Sequence, residues 1–321
     1  MSSYKKFKFF TFIFIALLFS FNFENNSIVM ANEKQKSNPE ITEGTLKDMN
    51  GNISKSNILK QNDKYYLYKV QNQTVIQIFD SNNSLVSNTD NNFTKDSYSK
   101  YVSLFKNLSD INQFYKQRFN RIGSIGLTQR DISFINAAVN DATPNAVWTG
   151  SSLAVNSKYI NISDVLAHEY THGIIQNEVG KFHFSGETGA LEESLSDVFA
   201  TMFDGNYTIG EKLGENNIIR SLSNPQKYNQ PNHMNGYVKT QNDKGGVHIN
   251  NGIPNYAYYL TVQSIGERKA QNLYYYNLTK NFDENDNFSS FKSDLVNSTQ
   301  KLYGNNDAQK VREVWNKVGV K

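Results

Sequence analysis

Five consecutive residues, His168-Glu169-Tyr170-Thr171-His172, have types and spacing that could do chemistry. On an α-helix, positions four apart differ by roughly 400°, so His168 and His172 project from one face, one turn apart, and can grip a single ion. Glu169 stands about 100° round the same helix, where a carboxylate can take a proton from a water activated by that ion. Alone, this H-E-x-x-H spacing is short enough to arise by chance, and two satisfied surface histidines would explain it as well. A second stretch, Gly189-Ala190-Leu191-Glu192-Glu193-Ser194-Leu195-Ser196-Asp197, shifts the balance. Catalytic zinc takes three protein ligands and keeps one position open, and two His plus one Glu is a standard set. Glu193 supplies the third ligand. Asp197, one turn further on the same face, can accept the other ring N–H of a ligand histidine and fix its tautomer. Glu192 has Ser196 at the corresponding place, which favours Glu193 as the ligand.

The elements that must position these groups can be read outward from them. Asn161 and Ser163 are candidate caps for the helix carrying the signature, Asp164 suits its first turn, and Gly180 is a credible stop. A second helix is expected from about 190 to 203. Upstream, Tyr65-Tyr66-Leu67-Tyr68-Lys69-Val70 and Thr74-Val75-Ile76-Gln77-Ile78-Phe79-Asp80 are β-branched and aromatic and read as paired strands. Tyr98, Tyr101, Val102, Phe105 and Leu108, continued by Phe114 and Tyr115, recur at helical spacing and form a core-facing stripe. A further β-rich segment runs from Ile132 to about Ile160. Beyond the second helix the chain is mostly helical, at roughly 250–265, 268–281, 288–303 and 306–318. The expected architecture is α+β: a β-rich lobe over 41–162, then a helical lobe over 163–321 that begins with the signature helix at the seam.

Composition bounds the setting. Lys5, Lys6 and Lys8 precede an apolar run from Phe9 to Phe21 and then Val29-Met30-Ala31, the order of a secretory signal cut after Ala31. The run is shorter than the roughly 20 residues a membrane-spanning helix needs, so an exported chain without a stable membrane anchor is expected, with a flexible leader over 32–40. Cysteine is absent, which excludes a disulfide framework, a thiol nucleophile and a thiolate metal ligand. The net charge is +3 for the whole chain and +1 once residues 1–31 are set aside, so nothing argues for nucleic acid or anionic membrane as a partner.

At this point the residues resemble the thermolysin family of secreted zinc neutral proteases, from about Ile41 to the closing Val311–Val320 stretch. The resemblance implies a two-lobed fold with zinc in the cleft, held by His168, His172 and Glu193, and Glu169 as general base. The run Asp243-Lys244-Gly245-Gly246-Val247-His248-Ile249-Asn250-Asn251-Gly252 is similar to the family's D-x-x-G-G-V-H-x-N-x-G segment. It implies that His248 stabilises the developing oxyanion and that Asp243 holds its imidazole charged and oriented. Read without the match, His248 is a loop histidine. Asn145-Ala146-x-Trp148 resembles the edge strand that binds an extended peptide, and Ile219-Arg220-Ser221-Leu222-Ser223 the segment whose arginine meets a substrate carbonyl. Val165, Ile209 and Ile219 are the implied walls of a pocket for a bulky apolar residue just after the scissile bond.

Departures from the family pattern also stand out. Phe184 occupies the place of a cleft-wall tyrosine that shares oxyanion stabilisation, and Glu192 the place of an asparagine before the third ligand, adding negative charge near zinc. Asp164, Asp204 and Glu211 fit acidic calcium positions, but Thr208 stands where an acid is expected, so one weakened calcium site at most is implied. Only about ten residues separate Ala31 from the start of the resemblance, which implies folding unaided or a pro-region or chaperone acting in trans. The expected protein is a monomeric extracellular zinc endopeptidase acting on peptides or proteins. The alternative, suggested by Phe184 and Glu192, is a zinc-binding relative that serves as a binding module without turnover.

Overall fold

The structure, a computed structural model, describes residues 38–123, 133–180 and 184–321. The expected signal, residues 1–31, lies outside the described residues, as does most of the leader; its last residue, Glu40, already opens a strand. Among the described residues two five-stranded sheets form. In the first, β1 (Glu40–Lys47) and β2 (Ile53–Gln61) make an antiparallel hairpin, extended by β3 (Lys64–Tyr66) and β6 (Ser87–Asn88) on one side and β7 (Asn92–Phe93) on the other. The second has the order β4 (Tyr68–Gln71), β5 (Thr74–Phe79), β8 (Ser133–Val139), β10 (Leu153–Val155), β9 (Ala146–Trp148), with β5, β8 and β10 mutually parallel. Central β5 is buried along nearly its whole length, as a strand covered on both faces must be, whereas β8 alternates buried and half-buried residues.

The run from Tyr65 to Val70, expected as one strand, is two. Its second half pairs with β5 as anticipated, Val70 opposite Val75, but its first half belongs to the other sheet. The division falls at Leu67, which is fully buried, donates its N–H to the Val86 carbonyl and accepts from Ile78 of β5. A buried side chain and a satisfied backbone thus carry the chain from one sheet to the next.

The aromatic stripe forms α1 (Asp96–Phe119), which buries Val102, Phe105, Leu108, Ile111 and Tyr115 and packs on β1, β5 and β8. The signature helix, α2 (Ser163–Val179), runs between α1, β9 and α3 (Gly186–Asp204) and is buried around most of its circumference. It stops at Gly180 as read from the sequence, but its cap is Ile162, which makes no side-chain capping bond. Asn161 reaches Asn50 instead, and Ser163 accepts a hydrogen bond from the Lys212 ammonium at 2.6 Å, so neither is free to cap. Helix α3 begins four residues earlier than the periodicity indicates. The short pair β11 (Thr208–Ile209) and β12 (Arg220–Ser221) follows, then α4 (Asp243–Asn250), α5 (Gly252–Ile265), α6 (Glu267–Lys280), α7 (Phe288–Tyr303) and α8 (Asn305–Lys317). The last four match the sequence-derived ranges to within two residues. Their core is aromatic: Tyr258 meets Tyr274 at 4.8 Å and Phe291 meets Trp315 at 5.7 Å. Each such ring, fully buried, contributes about 2–3 kcal/mol.

Candidate active site

The i, i+4 spacing on α2 delivers what it promised. His168 Nε2 and His172 Nε2 lie 3.0 Å apart with their rings nearly perpendicular, aimed at one point. Glu193, brought in by α3, places Oε2 3.3 Å from His168 Nε2 and Oε1 3.7 Å from His172 Nε2. All three side chains are buried, and Glu193 Oε2 has no hydrogen-bond partner among the described residues. Two imidazole nitrogens facing each other around an unpartnered carboxylate oxygen, with all donor atoms within 4.8 Å, fit a small dication. Two nitrogens and one oxygen are the donor set of a catalytic zinc site that leaves a position open. Electrostatics agree. Burial disfavours charge on His168, yet Asp197 and Glu193 beside it push its pKa up to about 10. Burial would also raise the Glu193 carboxyl, but the neighbouring His172 and His168 hold it well below the usual carboxylate range. The pocket calls for positive charge at its centre.

Each histidine is held from behind by α3. His168 Nδ1 faces Asp197 Oδ1 at 2.9 Å, as the sequence spacing indicated. His172 Nδ1 faces Glu192 Oε1 at 3.1 Å and Ser196 Oγ at 3.3 Å. Glu192 therefore orients the His172 ring, a role its sequence position alone did not suggest. The signal was present: the Glu192–Ser196 pair that argued against Glu192 as a ligand is the pair that grips His172, one residue out of phase with Glu193–Asp197.

Glu169 is positioned by the neighbouring sheet. The Trp148 backbone N–H, at the end of edge strand β9, donates to Glu169 Oε2 at 2.6 Å. The Trp148 indole is in turn fixed to α2, its N–H on Gln176 Oε1 at 2.7 Å and its ring 3.1 Å from where a side chain on Gly173 would begin. Gly173 lets the tryptophan, and with it the partner of Glu169, approach the helix this closely.

His248 arrives from α4. Its Nδ1 meets Asp243 Oδ1 at 2.6 Å while its backbone N–H donates to Asp243 Oδ2 at 2.9 Å, and its Nε2 lies 3.3 Å from Glu193 Oε1. Glu193 first, and then Asp243, raise its pKa to about 9 against the effect of burial. The loop can fold back in this way because Asp243, Lys244, Gly245 and Gly246 are all left-handed, with φ of 51°, 50°, 94° and 76°. Gly245 also sits against Gly186, where a side chain would begin 3.0 Å from the Gly186 nitrogen.

A cavity of about 130 Å³ joins these groups. It is lined by Asn145, Ala146, Val165, His168, Glu169, Ile209, Ile219, Arg220 and His248, all singled out from sequence, and by Tyr159, which was not. Tyr159 lies in a short turn with no motif around it. Arg220, on β12, bonds Asp197 Oδ1 at 2.7 Å. Phe184, expected on the cleft wall, is instead buried against Phe282, ring centres 6.2 Å apart, and does not line this cavity.

The carboxylates assigned to calcium are arranged differently. Asp164 accepts the backbone N–H groups of Val165 and Gly210; Asp204 accepts Asn206 and, at 3.2 Å, the Lys212 ammonium; Glu211 accepts Asn206 and Thr208. Among the described residues, the tight convergence seen at His168, His172 and Glu193 is not repeated there.

Sequence comparison matches this arrangement to known proteins. A family described as thermolysin metallopeptidase, catalytic domain, matches residues 43–176, and its alpha-helical domain matches residues 180–320. The neutral protease NprE of Bacillus pumilus is 35% identical over 286 residues, which cover 82% of this chain and 94% of that relative. The chain belongs to the thermolysin metallopeptidase family. Among its relatives, bacillolysin of Bacillus amyloliquefaciens is 35% identical over 301 residues, 87% of this chain. The chain spans 57% of the length of that bacillolysin and 59% of the extracellular elastase of Staphylococcus epidermidis. The precursor of protealysin, a metalloproteinase from Serratia proteamaculans, superimposes with a TM-score of 0.66 at 25% identity, over 79% of this chain and 90% of that one. The thermolysin-like fold accounts for the β-rich first part, the helical second part and the central helix bearing His168 and His172. Among the described residues no helix is long and apolar enough to cross a membrane.

Proposed function

We propose that this chain is a zinc-dependent endopeptidase that acts outside the cell, as a monomer, on peptide or protein substrates. The observation that carries the reading is the convergence of the His168, His172 and Glu193 donor atoms beside Glu169, in a cleft bordered by a sheet edge. Zinc held by those three side chains supplies Lewis-acid polarisation of the scissile carbonyl and acidifies water. Glu169, steadied by the Trp148 N–H, accepts the proton of the attacking water and hands it to the leaving amine. His248, its ring oriented by Asp243, donates from Nε2 to the oxyanion. Edge strand β9 offers backbone groups to an extended peptide at Asn145 and Ala146, while Arg220 keeps a buried Nε without a partner among the described residues, available to a substrate carbonyl.

Val165, Ile209 and Ile219 form apolar walls for the residue after the scissile bond, and Tyr159 narrows the space they enclose. A role outside the cell fits relatives whose names include an extracellular elastase. A pro-region or a chaperone acting in trans belongs to the same proposal, since the structural relative is itself a precursor. The test is cleavage of a quenched peptide with Leu after the scissile bond, with and without a zinc chelator. Chelator-sensitive cleavage is expected; zinc-loaded, folded protein that cuts nothing would overturn the reading.

A further inference from the structure

Asp197 does more than face His168. It is fully buried, three side-chain donors bond it, and the His168 ring lies against it. Oδ1 lies 2.9 Å from His168 Nδ1 and accepts from the Arg220 guanidinium at 2.7 Å; Oδ2 accepts from the side-chain amides of Asn251 and Asn255, each at 2.9 Å. Asn251 is also fully buried and stands at the junction where α4 ends and α5 begins, three residues after His248. Its other amide atom, Oδ1, accepts from Gln230 Nε2 at 2.6 Å, and the same Gln230 nitrogen donates to the backbone carbonyl of His248 at 2.7 Å.

The polarity of this chain of bonds is forced. A carboxylate can only accept, so Asn251 must turn its NH₂ to Asp197 and its oxygen to Gln230, which leaves Gln230 to donate toward His248. A buried, ionised acceptor gives each of these bonds more directional strength than a neutral one would.

We propose that Asn251 is a positioning residue that ties the oxyanion histidine to the metal ligand, so that His168 and His248 are held from one buried anchor, Asp197. The two groups come from different elements and face the cleft from different sides, yet two side-chain amides, Asn251 and Gln230, link the Asp197 anchor to the His248 backbone. Asn255 braces only the Asp197 end of this relay, and Gln230 only the His248 end. The inference rests on the zinc peptidase reading above, and its test separates the two.

Three near-isosteric substitutions in the full-length chain divide the relay: Asn251→Leu at the joint, Asn255→Leu on the metal arm and Gln230→Met on the histidine arm. Zinc affinity is read by chelator competition, independently of turnover, and kcat and KM are read on a quenched peptide at saturating zinc. Asn251→Leu is expected to lose in both, about tenfold in zinc affinity and about tenfold in kcat, with KM little changed. Asn255→Leu should weaken zinc by a similar factor with the smaller kcat loss, and Gln230→Met should lower kcat while zinc affinity stays within about threefold of the parent. Parent-like zinc affinity in both asparagine variants, or a Gln230→Met variant whose zinc affinity falls as far as its kcat, would overturn the proposal. If Asn251→Leu fails to fold, the opposed behaviour of the other two variants still decides it. If the parent itself cuts no peptide, the peptidase reading fails while zinc affinity continues to test the metal arm. The histidine arm is then read from the His248 ring resonances, which should move in Gln230→Met and not in Asn255→Leu.

Discussion

Helix Ser163–Val179 contributes Asp164 to one cluster of ionisable side chains and, one turn on, His168 and His172 to another, and the two are built on opposite plans. Asp164, Asp204 and Glu211 gather at its start, but their oxygens are taken up by the chain's own donors: backbone N–H groups, Asn206, Thr208 and the Lys212 ammonium. His168, His172 and Glu193 turn their lone pairs toward one another, while behind them His172 Nδ1 meets Glu192 and His168 Nδ1 lies 2.9 Å from Asp197. The lesson is that a count of acids is a poor guide to an ion site. What marks one is converging acceptor atoms with their supporting bonds on the far side.

That contrast can be broken at several points. The largest effect belongs to His172→Ala, which should cost far more zinc affinity than the ~10–100-fold that loss of an outer hydrogen-bond partner brings. Metal analysis after dialysis checks it, and a variant still holding one zinc per chain would mean that the convergent atoms are not the ligands. Next comes Glu169→Gln, expected to lower kcat by about 10²–10⁴ with zinc retained, in the peptide assay. Parallel loss of metal would move Glu169 from proton acceptor to ligand. Glu192→Ala should weaken zinc roughly tenfold by freeing the His172 ring, again by chelator competition. An unchanged affinity would show Glu192 to be a bystander.

Two smaller effects probe the self-satisfied cluster. Burial first, then Glu211 and Asp204, push the Asp164 carboxyl up to about 6, against the pull of the Gly210 and Val165 N–H groups. Its folded pKa stands above the ordinary 3.8, so its stabilising contribution is complete below pH 3.8 and is lost as pH rises through about 6. In the presence of chelator, Asp164→Asn should remove about 1–2 kcal/mol of that pH dependence, seen as a shallower fall in thermal midpoint from pH 4 to 7. An identical slope would acquit Asp164. Lys212→Met should cost less than about 1 kcal/mol, because the lysine is half exposed. Its sharper signature is calcium: added calcium should raise the variant's midpoint more than the parent's, and an equal response would mean that the ammonium does not stand in for a cation.

The sequence by itself determined whatever follows from local period. The 3.6-residue repeat placed His168 and His172 on one face, put Asp197 behind Glu193, located α1 and the four C-terminal helices, and made the two-part α+β order legible. Resemblance supplied His248 and the cleft walls, which the structure gathers around one cavity, and Asp243, which it places behind the His248 ring. Only the tertiary structure decided what depends on chain segments far apart in sequence. It broke the Tyr65–Val70 run at Leu67, gave the cap of α2 to Ile162, turned Phe184 into core, brought the Trp148 N–H to Glu169, and set Gln230, Asn251 and Asp197 in one line of hydrogen bonds. The physical reason is range. A helix fixes neighbours three and four residues away through its own backbone bonds, whereas an amide meets a carboxylate 54 residues distant only because both are buried and must find partners there.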